Sequence, residues 1–250
     1  MHKRHLPVPG AYNIRDLGGY ATAAGTRTPW RRFLRADSPH RLDSRQTDRL
    51  VAEGLRTVID LRTADEVAAA PSPFAGRGDV QFLNLPLFDD LAPTIMAGKE
   101  HPAGDPLLYF YLAALSERQA AIRDVISGIA GAGDGAVMFN CTAGKDRTGL
   151  IAAMLLGLAG VARGDILSDY AMTADLIPDL VSELMAHAQA HGRDLKSYAK
   201  MLESPAPTMA AALGHIDALH GSIPAYLAAI GVPQSDLTAL RDRLTATATG

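Results

Sequence analysis

Residues 136–162 constrain the fold more than any other stretch of the chain. A short apolar strand pattern, Ala136-Val137-Met138-Phe139, passes through a polar loop into a long apolar helix from about Thr148. The apolar run from Leu150 to Ala162 is too short to span a bilayer and reads as a buried helix. A buried strand feeding a buried helix belongs to a sheet with helices packed on it. Upstream, Thr57-Val58-Ile59-Asp60-Leu61 is β-branched and apolar, hence a second buried strand. Arg32 to Arg35 reads as a short strand and Val80 to Leu85 as a neighbouring one. Asp43 caps a helix that has Gln46 at the capping-box position and Gly54 as its stop. Pro106 to Ile129 is helical, with a second start at Ser116. Beyond Arg163 the pattern is helical throughout, broken at Pro178, at Ser204-Pro205-Ala206-Pro207 and at Gly231-Val232-Pro233. The predicted class is α/β, a small central sheet flanked by helices with a helical C-terminal half, in one domain over residues 1–250.

The chain is 48% hydrophobic and 20% charged, with a formal net charge of -3. That balance suits a globular protein and points away from a nucleic-acid binder or a polybasic membrane protein. The one basic cluster, His2-Lys3-Arg4-His5, reads as a frayed terminus. The first residues lack the apolar core of a secretory signal, so a cytoplasmic location without an integral membrane segment is expected. A single cysteine excludes an internal disulfide framework and suits a reducing compartment.

A lone cysteine is either an inert core residue or a reactive one, and its neighbours decide. Here they read Asn140-Cys141-Thr142-Ala143-Gly144-Lys145-Asp146-Arg147-Thr148-Gly149. A tight loop entering a helix points backbone N–H groups into one concavity, where the helix dipole adds positive potential. A thiolate is stabilised there, and so is a phosphate dianion. Arg147, six positions after Cys141, can grip two phosphate oxygens from the loop exit. Gly144 permits close approach to the ligand, and Thr148 can donate its hydroxyl toward the departing sulfur. Arg at that position followed by Ser or Thr arises by chance roughly 1% of the time. Other motifs fail. Gly144-Lys145 lacks both the earlier glycine and the following Ser or Thr of a nucleotide-binding loop. His187 and His191 have no intervening Glu and no third ligand, so no metal site is expected.

The loop resembles that of the bacterial atypical tyrosine or dual-specificity phosphatases, whose hallmark reads HCxxGKDRTG. Asn13-Ile14-Arg15-Asp16-Leu17-Gly18-Gly19 resembles the family's N-terminal NxRDLGG motif. Val58-Ile59-Asp60-Leu61-Arg62 resembles its DLR strand end, with Glu66 as the acidic follower. The resemblance implies that Cys141 attacks phosphorus, Arg147 binds the transferring phosphoryl, Asp146 serves acid–base chemistry and Lys145 adds charge recognition. It places a phosphate ion among Thr142, Ala143, Gly144, Lys145 and Thr148, with Asp60 and Arg62 flanking the site. Asp60 either takes part in the chemistry, orients Arg147 or ties off a loop. Asp89 and Asp90 are further candidates for the general acid. Arg15-Asp16 and Gly18-Gly19 are expected to fix the N-terminal loop.

The implied activity is protein-tyrosine or dual-specificity phosphatase chemistry through a cysteinyl-phosphate, without metal or other cofactor. Its expected partners are a phosphorylated protein or peptide, or a phosphoinositide or other small phosphate ester. A non-catalytic phospho-ligand binding module is the rival reading. One departure stands out: Asn140 replaces the family's histidine. An amide can hydrogen-bond the loop backbone but cannot carry positive charge. Residues from about 173 to 207 are expected to form a helical lid.

Overall fold

The structure, a computed structural model, describes residues 4–88 and 105–246. Asp89 and Asp90 lie outside the described residues. The first half interleaves strands and helices: β1 Arg15–Asp16, β2 Phe33–Ala36, α1 Ser44–Ala52, β3 Leu55–Asp60, α2 Ala64–Ala69 and β4 Gln81–Asn84. After α3 Pro106–Glu117 and α4 Gln119–Ala130 comes β5 Ala136–Asn140, and then α5 Asp146–Leu158. The remainder is helical: α6 Arg163–Ala171, α7 Thr173–Leu176, α8 Pro178–Ala190, α9 Leu195–Leu202, α10 Ala206–His220, α11 Ile223–Ala229 and α12 Gln234–Thr245. The five strands form one sheet in the order β1-β2-β5-β3-β4, parallel except where β1 meets β2. The expected α/β class with a helical C-terminal half is what the chain adopts.

Local signals explain most boundaries. Asp43 caps α1 and Gln46 reaches back to the Asp43 N–H, completing the capping box. The same device at Thr63 and Glu66 opens α2. Two boundaries differ from expectation. The break between α3 and α4 falls at Arg118, because the Ser116 hydroxyl donates to the Leu112 carbonyl inside α3 instead of capping a new helix. Helix α5 begins at Asp146, two residues before the expected start at Thr148, since its first turn is the end of the polar loop.

Strand β5 is buried along its whole length between β2 and β3, and its residues alternate between two cores. Phe139 and Ile59 face a large cluster with Phe110 of α3, Ile126 of α4, Ile151 of α5, Leu213 of α10 and Leu240 of α12. Met138, Leu34 and Val58 face a smaller one with Leu50 of α1, Phe74 and Val80. The C-terminal end of this central strand is where parallel α/β sheets present ligands. Ile151 is 0% exposed at the middle of α5. Ile151→Ala should therefore lose about 2–5 kcal/mol in urea denaturation, against about 1 kcal/mol for loss of the exposed cap in Asp43→Ala. Equal, small losses would show that α5 is not central to the core.

Candidate active site

The loop between β5 and α5 is set by its contact with the end of β2. Gly144 has φ 65, and a Cβ there would lie 2.6 Å from the backbone of Ala36 and Asp37. Only glycine fits both the angle and the approach. Each successive carbonyl of the loop has a donor behind it. Ser38 N–H donates to Thr142 O at 3.1 Å. Asn13 Nδ2 donates to Ala143 O at 2.8 Å, and Arg35 Nη2 to Gly144 O at 2.7 Å. In a planar trans peptide the N–H points opposite to the carbonyl. The amides of Ala143, Gly144 and Lys145 therefore face away from those donors, and among the described residues they have no acceptor. Cys141, 3% exposed, borders a cavity of about 200 Å³ together with Thr142, Ala143, Lys145, Asp146 and Arg147.

Arg147 reaches the cavity from the first turn of α5 and is held by Glu66 of α2. Its Nη1 donates to Glu66 Oε2 at 2.6 Å and its Nη2 to Oε1 at 2.9 Å. Nε has no partner among the described residues, so part of the guanidinium remains available to a ligand. Thr142 Oγ1 donates to Glu66 Oε1 at 2.5 Å and accepts from Arg147 Nη2 at 3.0 Å. Burial raises the Glu66 carboxyl, but the hydrogen bonds and charge of Arg147 outweigh it and bring it down to about 2. Glu66 in turn holds the buried Arg147 above its ordinary value.

Asp146 Oδ1 accepts from Tyr111 OH at 2.7 Å and lies 3.2 Å from Lys145 Nζ. Oδ2 has no partner among the described residues. Burial first, then the Asp146 charge, pushes the Tyr111 phenol far above its ordinary value, so it remains a donor. Its single proton goes to Asp146, which makes Tyr170 the donor in the 2.7 Å Tyr111–Tyr170 bond.

Residues 6–246 match the tyrosine phosphatase family. The chain belongs to that family. It is thereby a cysteine-dependent phosphoric monoester hydrolase. Two solved structures of P. aeruginosa TpbA are similar at 20% identity and a TM-score of 0.34. They cover 72% and 70% of this phosphatase and 94% and 87% of the TpbA chains; one is a cysteine-to-serine form in complex with pTyr. No curated relative matches in sequence.

The phosphatase departs from the sequence expectations at several residues. Asp60 and Arg62, expected to flank the phosphate, are spent on each other: Arg62 Nη2 donates to Asp60 Oδ2 at 2.7 Å, and neither borders the cavity. Arg62 Nη1 also donates to Ala70 O at the end of α2, so the pair ties that helix to β3. The carboxylate that orients Arg147 is Glu66, not Asp60. Asn140, expected to bond the loop backbone, is 0% exposed, and neither side-chain atom has a partner among the described residues. It shares a face of β5 with Met138, away from Arg35, and the carbonyls of Thr142, Ala143 and Gly144 already have donors. Thr148 Oγ1, expected to donate toward sulfur, likewise has none. Lys145 Nζ, expected to recognise substrate charge, donates to the carbonyls of Met201 and Glu203 at the end of α9. His187 and His191 stack with ring centroids 4.1 Å apart; no third ligating residue joins them among the described residues.

Sequence reasoning gave no role to Tyr111, Arg35 or Asn13, whose partners lie far along the chain. Glu66 had a local signal, the Thr63-x-x-Glu66 capping box that fixes its place directly after β3. A carboxylate lowered from 4.5 to about 2 adds stability that is full above about pH 4.5 and is lost as pH falls toward about 2. Glu66→Gln should therefore cost about 3 kcal/mol near neutral pH, with the gap to wild type closing through that window in urea denaturation. A gap independent of pH would show that the ion pair is not what holds Glu66.

Proposed function

We propose that this tyrosine phosphatase hydrolyses phosphotyrosine in proteins or peptides through a covalent intermediate on Cys141. The observation that carries the reading is a single buried cysteine bordering the cavity together with Arg147, on a loop whose amides have no acceptor among the described residues. Cys141 Sγ, as thiolate, attacks phosphorus and forms the S–P bond while the P–O bond to the tyrosine oxygen breaks. The leaving oxygen takes a proton from Asp146. Water then attacks the cysteinyl-phosphate and gives a proton to Asp146, the new O–P bond forms as the S–P bond breaks, and Cys141 thiolate and inorganic phosphate are released. Loop amides and Arg147 stabilise the charge on the transferring oxygens in both steps. Water is the one co-reactant needed.

Helices α8 and α9 and the turn between them supply the other wall of the cavity, with Leu184, Tyr198, Met201 and Leu202 alongside His187 and Arg193. The apolar part of that wall suits the ring of phosphotyrosine better than the hydroxyls of an inositol headgroup. Of the expected lid over residues 173–207, we assign helices α8 and α9 as the part over the site, Thr173 being bonded to Arg15 behind the loop; Lys145 fastens that part through the Met201 and Glu203 carbonyls. Comparing kcat/KM on phosphotyrosine peptides and on phosphoinositides decides the substrate class: preference for the peptides supports the reading, and preference for the lipids overturns it.

Cys141→Ser should abolish turnover while retaining substrate binding. Arg147→Lys keeps the charge but not the planar fork, and should lower kcat/KM by about 10²-fold or more. Near-full activity of either variant places the chemistry elsewhere.

Asp146 as acid makes a separate prediction. Asp146→Asn should harm esters of basic leaving groups, such as phenyl phosphate, far more than those of acidic ones such as p-nitrophenyl phosphate. A uniform loss across leaving groups would make Asp146 a structural partner of Tyr111 and Lys145.

A further inference from the structure

Behind the loop, on the side of its carbonyls, lies a buried polar cluster for which the cycle above has no use. Asn13, Arg15, Arg35, Asp169 and Thr173 are each at most 1% exposed. Arg35 Nη1 donates to Asp169 Oδ2 at 2.5 Å, and Arg15 Nε lies 3.4 Å from Asp169 Oδ1. Arg15 Nη2 donates to Thr173 Oγ1 at 3.0 Å, and Tyr20 OH to Asp169 Oδ1 at 3.0 Å. Burial raises the Asp169 carboxyl, yet the two arginines outweigh it and hold it below the ordinary range. Burial, with Arg35 nearby, lowers Arg15 to about 10.

Two guanidinium groups thus share one carboxylate, a costly arrangement that well-packed apolar side chains could replace if cohesion were all it supplied. What apolar side chains cannot supply is donors. Arg15 Nη1 donates to Asn13 Oδ1, which fixes the Asn13 amide with Nδ2 turned to the loop. Nδ2 then donates to Ala143 O at 2.8 Å and Gly144 O at 3.2 Å, and Arg35 Nη2 to Gly144 O at 2.7 Å. Asp37 Oδ1 holds the backbone N–H of Asn13 at 2.9 Å. A flipped peptide at either carbonyl would turn an oxygen, in place of an N–H, toward an incoming anion.

We propose that Asn13 and Arg35 are positioning residues for phosphoryl transfer, set in place by Arg15 and Asp169. They hold the Ala143 and Gly144 carbonyls back and so keep the amides of Gly144 and Lys145 turned toward the transferring phosphoryl group. The N-terminal Asn13-Ile14-Arg15 segment thereby acts on the reaction through the loop, without touching substrate. The proposal rests on the Cys141–Arg147 loop being the phosphate cradle.

The test is Asn13→Asp, isosteric with the native side chain. Its carboxylate keeps Arg15 as a partner but offers the loop carbonyls no donor. Arg35→Lys, which keeps the charge and loses the fork, is the second variant. Thermal unfolding reports folding, and kcat, KM and inhibition by vanadate, a five-coordinate mimic of the transition state, report function. The expected result is a fall in kcat and in vanadate affinity together, by about 10- to 100-fold, with KM changing by less than about threefold. A merely structural role would lower the unfolding temperature and leave kcat and vanadate affinity of the folded protein within about twofold of wild type, which overturns the proposal. Should neither variant fold, the wild-type protein decides. On vanadate binding, the Gly144 and Lys145 amides should shift in NMR spectra and gain protection from hydrogen exchange, and no change overturns the proposal. If Cys141→Ser and Arg147→Lys retain turnover, the loop assignment itself fails. If they abolish it while Asn13→Asp does not, only the positioning role fails.

Discussion

The contact between Gly144 and the end of β2 is the constraint on which the rest of the site depends. A side chain at that position would collide with the Ala36 and Asp37 backbone at 2.6 Å, so the loop can lie against the strand only with a hydrogen there. That approach puts the carbonyls of residues 142–144 within reach of donors from Ser38, Asn13 and Arg35. Because each peptide is planar, holding the carbonyls also directs the amides. The sheet contributes by fixing where the loop starts: β5 is flanked on both sides by parallel partners and cannot shift register by one residue without moving Met138 and Phe139 each into the other's core.

Two carboxylates hold the arginines around this loop, and they differ in solvent access. Asp169 is 1% exposed and serves two arginines behind the loop, whereas the Glu66 side chain is 10% exposed and serves Arg147 at the cavity. Breaking a buried pair leaves a charge uncompensated, so the rear cluster is the costlier of the two to break. The front pair borders the cavity, where an arriving phosphoryl group can share the guanidinium. A rear that is costly to break and a front open to the cavity suit the phosphate-binding role proposed for the loop. Tyr111 extends the pattern to Asp146 by occupying one carboxylate oxygen.

What was legible in the sequence was local. The capping box at Asp43, the strands through Thr57 to Asp60 and Ala136 to Phe139, and the turn from Cys141 to Lys145 into a helix stand where their residues placed them. The expectations for Asp60, Arg62, Asn140 and Lys145 came from the family resemblance, and their side chains are disposed otherwise. Asp60 has a cation two residues away, and Asp60 and Arg62 pair with each other instead of lining the cavity. Lys145 is engaged by carbonyls more than fifty residues further on.

By itself the sequence determined the fold class and the chemistry at the centre of the site, because both are written in short-range order. The strand, the six-residue spacing from Cys141 to Arg147 and the following helix need no distant partner to be recognised. Only the tertiary structure decided which carboxylate orients Arg147, which hydroxyl holds Asp146 and what lies behind the loop. Those bonds join residues 81, 35 and 134 positions apart, for Arg147 with Glu66, Tyr111 with Asp146 and Arg35 with Asp169. No local pattern specifies such pairs, since each depends on burial that exists only once sheet and helices have packed and excluded the water that would otherwise satisfy these groups.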